Sequence, residues 1–243
     1  MIGMDLQEKL YDDKLYVVII GDMSGSKQLS GRSRYQAQLF IKSAIVQINE
    51  EYAEHIEAPF TITKGDEFQG LLTDLEAAFR IVLALEKLTF PVRLRFGLGV
   101  GEVLKMGSHT PIEMDGPAFH RANAALNMAK KKKCNYYIIT PDENINLLIN
   151  TTFHLITAIK QRWKERHYRL YWRYKDLGTY REVGALENIT PQAVCDALKN
   201  SRAISVKTAE ENLLEYFQQV PLCRFQEDSS DQVILGDDEY SVG

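Results

Sequence analysis

Residues 15–20, LYVVII, form a continuous apolar and β-branched run that closes on Gly21-Asp22. Such a run predicts a buried strand with a loop at its C-terminal end. From residue 33 to residue 52 the period changes. Leu39, Phe40, Ala44, Ile45 and Ile48 recur at helical spacing, which predicts an amphipathic helix. Residues 59–63 and 68–72 read as strands flanking Lys64-Gly65-Asp66-Glu67, a short polar connection that predicts a β-hairpin. Residues 74–88 read as a second helix, capped by Thr73 or Asp74. Residues 92–104, VRLRFGLGVGEVL, alternate and are rich in glycine, so a strand is expected that another backbone approaches closely on one side. A loop over 107–115 follows, then a helix over 117–133 and a strand over 136–140. The lysines in the last turn of that helix complement its dipole. The order strand, helix, hairpin, helix, strand, helix, strand predicts an α+β fold, an antiparallel sheet with helices on one face. Beyond residue 140 the strand signals stop. Residues 144–175 read as helical, and everything to residue 220 as helix or turn. The expected organisation is an α+β domain over 1–155, a helical domain over 156–225 and an acidic tail over 226–243.

Composition adds limits. The chain has 243 residues and is 45% hydrophobic, enough apolar mass for a core and one or two domains. Its net charge of −4 argues against a wholly basic nucleic-acid binder. The average conceals an asymmetry: residues 151–225 carry 12 Lys+Arg against 8 Asp+Glu, while residues 226–243 carry 6 acids and no base. The basic segment points to an acidic partner. Cys134, Cys195 and Cys223 are too few and too far apart for a disulfide framework. No run is long enough to cross a membrane, and the N-terminus lacks the apolar centre of a signal peptide. A cytoplasmic location with no membrane partner is the expectation.

Candidate chemistry gathers at strand ends. Asp22 ends the first strand, and Asp66 and Glu67 sit in the hairpin. Where these strands are neighbours, the three carboxylates can meet at one sheet edge and hold Mg²⁺. Ser24, Gly25, Ser26 and Lys27 follow Asp22 directly, and small residues beside a lysine suit an anion. The same residues also read as ordinary turn chemistry with solvated carboxylates.

Four stretches occur in order: VVIIGDMSGS (17–26), TKGDEFQGL (63–71), RFGLGVGEV (95–103) and DGPAFHRANAA (115–125). Together they resemble the signature segments of class III nucleotidyl cyclases, and more closely those of the SatD family of small bacterial proteins. The resemblance implies a ferredoxin-like βαββαβ domain, metal binding by Asp22 and Asp66 with Glu67 assisting, and nucleotide contacts from Ser24, Ser26, Lys27, Lys64 and Gly65. Lys64 and Gly65 enter because the Lys-Gly-Asp-Glu-Phe run is similar to the diguanylate-cyclase signature loop. The resemblance also allows a homodimer, since cyclase-like sites usually form across one. Departures count against turnover. Aligned on Gly116-Pro117-Ala118, the cyclase Asn and Arg of the last helix become His120 and Ala124, and alanine cannot stabilise a transferring phosphoryl group. Arg121 is one position out of register, and the base-reading lysine becomes Ile62.

Residues 160–175, KQRWKERHYRLYWRYK, interleave seven basic residues with five aromatics. Arg162, Arg166 and Arg169 are candidate phosphate contacts, and Trp163, Leu170, Tyr171 and Tyr174 fall near one inward face. Residues 179–200 then resemble the helix-turn-helix of bacterial regulators. Thr179 caps a first helix, Asn188 takes the left-handed turn position, and Thr190 and Pro191 start a second helix. That leaves Thr190, Gln192 and Ala193 as candidate DNA contacts, with glutamine suited to adenine and alanine to a thymine methyl. Val194 and Leu198 face inward. A last amphipathic helix over 205–219 packs on the motif or forms a dimer seam. Three functions stay open: a regulator that senses a nucleotide or metal and binds DNA, a Mg-dependent nucleotidyl transferase or phosphohydrolase using Asp22 and Asp66, and a non-catalytic interaction scaffold. In the first, the acidic tail competes with DNA for the basic segment.

Overall fold

The computed structural model describes residues 14–26, 29–105, 111 and 114–225. The expected acidic tail and Lys27 lie outside them. In chain order the elements are β1 (Tyr16–Met23), α1 (Gly31–Glu51), β2 (Ile56–Lys64), β3 (Glu67–Leu72), α2 (Leu75–Thr89), β4 (Leu94–Gly101), β5 (Leu104–Lys105), β6 (Met114–Asp115), α3 (Pro117–Lys132) and β7 (Tyr136–Ile139). The helices α4 (Glu143–Lys160), α5 (Glu165–Leu177), α6 (Tyr180–Glu187), α7 (Pro191–Asn200) and α8 (Ala203–Gln219) follow.

The main sheet has the order β2-β3-β1-β4-β7. β1 is antiparallel to both β3 and β4, β2 is antiparallel to β3, and β7 joins parallel to β4. The first four strands of the sheet with α1 and α2 form a ferredoxin-like βαββαβ arrangement. The fold is α+β, a sheet followed by helices. Gly21 and Asp22, expected at the end of the first strand, lie within β1, opposite Phe68 and Glu67 of β3, and the strand runs one residue further to Met23. The end of the expected loop over 107–115 is also paired: Asp115 opposes Leu104 and Met114 opposes Lys105.

The sheet is covered on both faces, not one. Val17, Ile19 and Met23 of β1 share a core with α1 and α2, whereas Tyr16, Val18 and Ile20 share a second core with Ala118, Ala122 and Leu126 of α3. The glycines of β4 explain the difference. A Cβ on Gly97 would lie 2.3 Å from the Ala122 carbonyl oxygen, and one on Gly99 would lie 2.2 Å from that of Ala118. Strand and helix therefore meet backbone to backbone, and the facing helix positions are alanines: Ala118, Ala122, Ala125 and Ala129 are all buried. Hydrophobic alternation registers Phe96, Leu98 and Val100 on one face and sees only gaps on the other.

β7 is an edge strand whose free side is closed by side chains. The Asn150 amide bonds both the N–H and the C=O of Ile138 at 2.8 Å, and Asn146 does the same for Thr140. Both asparagines come from α4, one turn apart, so the edge offers no backbone groups there for another strand. A groove of about 750 Å³ between α3, β7 and α4 contains none of the expected site residues.

α4 runs unbroken through residue 155, and one hydrophobic cluster reaches from Val17 of β1 to Phe217 of α8 and Phe225. At its centre is a buried charge network. Lys160 Nζ lies 2.5 Å from Glu86 Oε2, 2.8 Å from Glu210 Oε1 and 3.0 Å from the Tyr136 hydroxyl. Lys175 Nζ donates to Glu210 Oε2 at 2.8 Å, and the Tyr171 hydroxyl donates to the same oxygen. The Lys160 and Glu210 side chains are each 1% exposed. Burial pushes the Lys160 pKa down, but the Glu210 and Glu86 carboxylates outweigh it and hold the ammonium well above the ordinary lysine range. Burial pushes Glu210 up, but Lys160 and Lys175 outweigh it and hold the carboxyl below its ordinary value. Both groups are therefore charged at neutral pH, which is the condition for a buried pair to persist.

Candidate functional site

The candidate corner is built by three adjacent strands and two helices. Asp22 of β1 sits between Glu67 of β3 and Arg95 of β4 as a direct cross-strand partner of each. Register partners project from the same face. For Asp22 this is the α3 face, because its β1 neighbours Val18 and Ile20 pack there. From α3, Lys130 places its Nζ 2.6 Å from Asp22 Oδ2. Asp66 lies in the two-residue turn between β2 and β3, where Gly65 has a positive φ of 65°. The turn is tied to α1 on the other side of the sheet. Arg34 Nη2 donates to Asp66 Oδ1 at 2.9 Å, and Gln38 Nε2 donates to the Gly65 carbonyl at 3.2 Å.

Two atoms of this corner are unusual, since the Nε of Arg34 and the Oδ2 of its partner Asp66 are both buried without a hydrogen-bond partner. Asp66 is nine-tenths buried, and its Oδ2 has no hydrogen-bond partner. A buried acceptor left open carries a desolvation cost and marks a place where a donor can be received. Lys64 is exposed and pairs in register with Glu67. Three carboxylates (Asp22, Asp66, Glu67) thus stand among four cations (Arg34, Lys64, Arg95, Lys130). The Ser24-Gly25-Ser26 turn continues directly from β1, held by a Ser24 N–H to Arg93 C=O bond of 2.7 Å.

The sequence places Asp22, Asp66 and Glu67 at one corner, and the structure agrees to that extent. It does not bring the three together as a ligand set. Asp22 is held from the α3 face and Asp66 from the α1 side. Among the described residues no group of three or more His, Cys, Asp or Glu side chains is gathered to hold a metal. The expected Mg²⁺ fits these residues poorly, because each aspartate already has a full positive charge at ion-pair distance. Lys130 and Arg34 were missed by sequence reading. Lys130 was visible only as one of four lysines ending a helix. His120, at the position of the cyclase asparagine, is exposed and 3.4 Å from Asp115, and Ala124 is exposed on α3.

The second candidate surface is the α6–α7 pair. Thr179 Oγ1 accepts from Glu182 N, and Thr190 Oγ1 accepts from Ala193 N. Asn188 ends α6 in the left-handed conformation, and Pro191 opens α7. Val183, Val194 and Leu198 are buried. Gly184 is required at the crossing, because a Cβ there would lie 2.7 Å from the Ile189 carbonyl oxygen. Thr190 and Gln192 are exposed at the start of α7 and Ala193 is half-buried; Gln192 Nε2 donates to Asp196 Oδ1 at 2.9 Å.

The basic run is not the single helix that its pattern predicts. α4 ends at Lys160 and α5 begins at Glu165, with Trp163 buried in the turn between them against Tyr168 and Tyr171. Much of its charge is internal. Lys160 and Lys175 belong to the buried network. Arg169 Nε lies 3.0 Å from Glu187 Oε2, and Arg173 pairs with the same carboxylate. Arg169, expected on phosphate, is exposed and pairs with the Glu187 carboxylate. Arg162, Lys164 and Arg166 are exposed.

A model of the SatD family matches residues 16–212. The chain belongs to the SatD family. No curated protein matches the chain. Among solved structures, this SatD protein is similar to a bacterial light-regulated adenylyl cyclase at 18% identity and a TM-score of 0.40, over 51% of this chain and 75% of that one. It is similar to a GGDEF domain from Pseudomonas aeruginosa at 20% identity and a TM-score of 0.34, over 53% and 82% of the two chains. A regulator of polyketide synthase expression from Bifidobacterium adolescentis is similar at 14% identity and a TM-score of 0.24, over 87% and 90%. Among the described residues no helix is long and apolar enough to cross a membrane.

Proposed function

We propose that this SatD protein is a regulator whose sheet corner receives a nucleotide-class ligand and whose α6–α7 pair receives DNA as a helix-turn-helix. The observation that carries the first half is the open, buried Oδ2 of Asp66, beside Arg34, at a corner where Lys130 also holds Asp22. A ligand with both a hydrogen-bond donor and a phosphate satisfies both features: the donor goes to Asp66, the anion to the cations and to the Ser24–Ser26 turn. Nucleotides are that class. A panel of nucleotides tested by thermal shift on the full chain examines this. Stabilisation that disappears in Asp66→Asn is the expected result, and no stabilisation by any nucleotide discards it.

For the second half, α7 is locked by Thr190, Val194 and Leu198, while Thr190 and Gln192 at its start stay exposed. Exposed Arg162, Lys164 and Arg166 supply charge for phosphate contact. The charge withdrawn into Glu86, Glu187 and Glu210 limits the electrostatic term, so binding at low salt with a shallow salt dependence is expected. Anisotropy titrations with genomic duplexes at several salt concentrations measure it. Binding that is unchanged in Arg162→Ala/Arg166→Ala/Gln192→Ala removes the assignment.

A further inference from the structure

The motif order implies a divalent metal at Asp22, and the structure puts a lysine there. The glycine–alanine contact between β4 and α3 explains how. With no Cβ on Gly97 and Gly99, α3 lies directly on the sheet. Ala129 is buried against it, so the next residue, Lys130, starts close to the strand surface. Its four-carbon stem then reaches past β4 to β1, where the ammonium sits 2.6 Å from Asp22 Oδ2. Arg95, in register beside Asp22 on β4, adds a second positive charge on the same face. A Mg²⁺ or Mn²⁺ ion bound to that carboxylate at about 2.1 Å would have to displace the ammonium and remain beside the guanidinium. Asp66 is not gathered with them, its Oδ1 being held from α1 by Arg34.

We infer that Lys130 is a resident cation in place of a divalent metal at Asp22, and that this side chain keeps the corner metal-free. The lysine supplies one positive charge where two motif aspartates would otherwise recruit a metal. Removing it leaves Asp22 and Glu67, adjacent on one face, as two carboxylates free to share an ion with water. The inference does not depend on the DNA reading.

The test is Mn²⁺ binding to the full chain, followed by electron paramagnetic resonance, in the wild type, Asp22→Asn, Lys130→Met and the double variant. The wild type is expected to show no Asp22-dependent binding. Lys130→Met is expected to bind Mn²⁺ at least about tenfold more tightly, a difference of ~1.4 kcal/mol, and to lose that gain when Asp22→Asn is added. Wild-type binding that Asp22→Asn abolishes overturns the inference, as does a folded Lys130→Met protein with no gain. Should Lys130→Met fail to fold, the wild type against Asp22→Asn decides. Equal Mn²⁺ binding supports the resident lysine, and Asp22-dependent binding refutes it.

Discussion

Two regions of this SatD protein are built from lysine, arginine and carboxylates, and they have different purposes. Around Lys160 and Glu210 both partners are 1% exposed and two tyrosine hydroxyls join them. Around Asp22 and Asp66 the cations are 38% and 42% exposed, and one carboxylate oxygen is left open. The first region is closed and fastens α4, α5 and α8 to α2 and β7. The second is half open and fastens nothing that the hydrophobic core does not already hold. Burial of the charged partners, not the residue types, separates a fastening from a site.

The largest effect expected from this contrast is on Lys160→Met. Removing one partner of a buried pair leaves Glu210 with Lys175 and takes from Glu86 its lysine, and should cost about 3–5 kcal/mol in chemical denaturation. Any nucleotide shift in the remaining folded protein should be unchanged. Glu210→Gln should cost less, about 1.5–3 kcal/mol, and should alter the acid limb. The Glu210 carboxyl is held below its ordinary value of 4.5. Its contribution is therefore present above pH 4.5 and is lost as pH falls through the lower folded value. Denaturation curves below pH 4.5 should be flatter in Glu210→Gln than in the wild type. The corner should behave in the opposite sense. Arg34→Ala breaks a pair whose cation is 42% exposed, so screening limits the loss to about 1 kcal/mol or less, while ligand-induced stabilisation should fall away. Smallest in stability is Arg162→Ala/Arg166→Ala, within about 0.5 kcal/mol. Its readout is DNA binding, where the salt slope should drop by about 1 for each arginine.

Local signals carried much of this fold into the sequence. The run at 15–20 specified β1, the glycines of 97–101 announced a close backbone approach, and Thr179, Asn188, Thr190 and Pro191 marked both ends of α6 and the start of α7. Each of these acts through neighbours within a few positions. The ion pairs were not legible for the opposite reason. Lys130 finds Asp22 and Lys160 finds Glu86 and Glu210 only after the chain has folded, and nothing in a run of lysines tells which one turns inward. The same limit produced the reading of 160–175 as one basic surface, when Glu187 and Glu210 from later helices take up Arg169, Arg173, Lys160 and Lys175. Placing helices on one sheet face failed because close packing against glycine has no hydrophobic signature.

The central claim is that the corner receives a phosphorylated ligand using the protein's own cations. Calorimetric titration of nucleoside triphosphates into the full chain, in chelator and then with added Mg²⁺, tests it most directly. Binding of at least one nucleotide in chelator, lost in Asp66→Asn, is the predicted result. Binding that occurs only with Mg²⁺, or no binding in either condition, would contradict it.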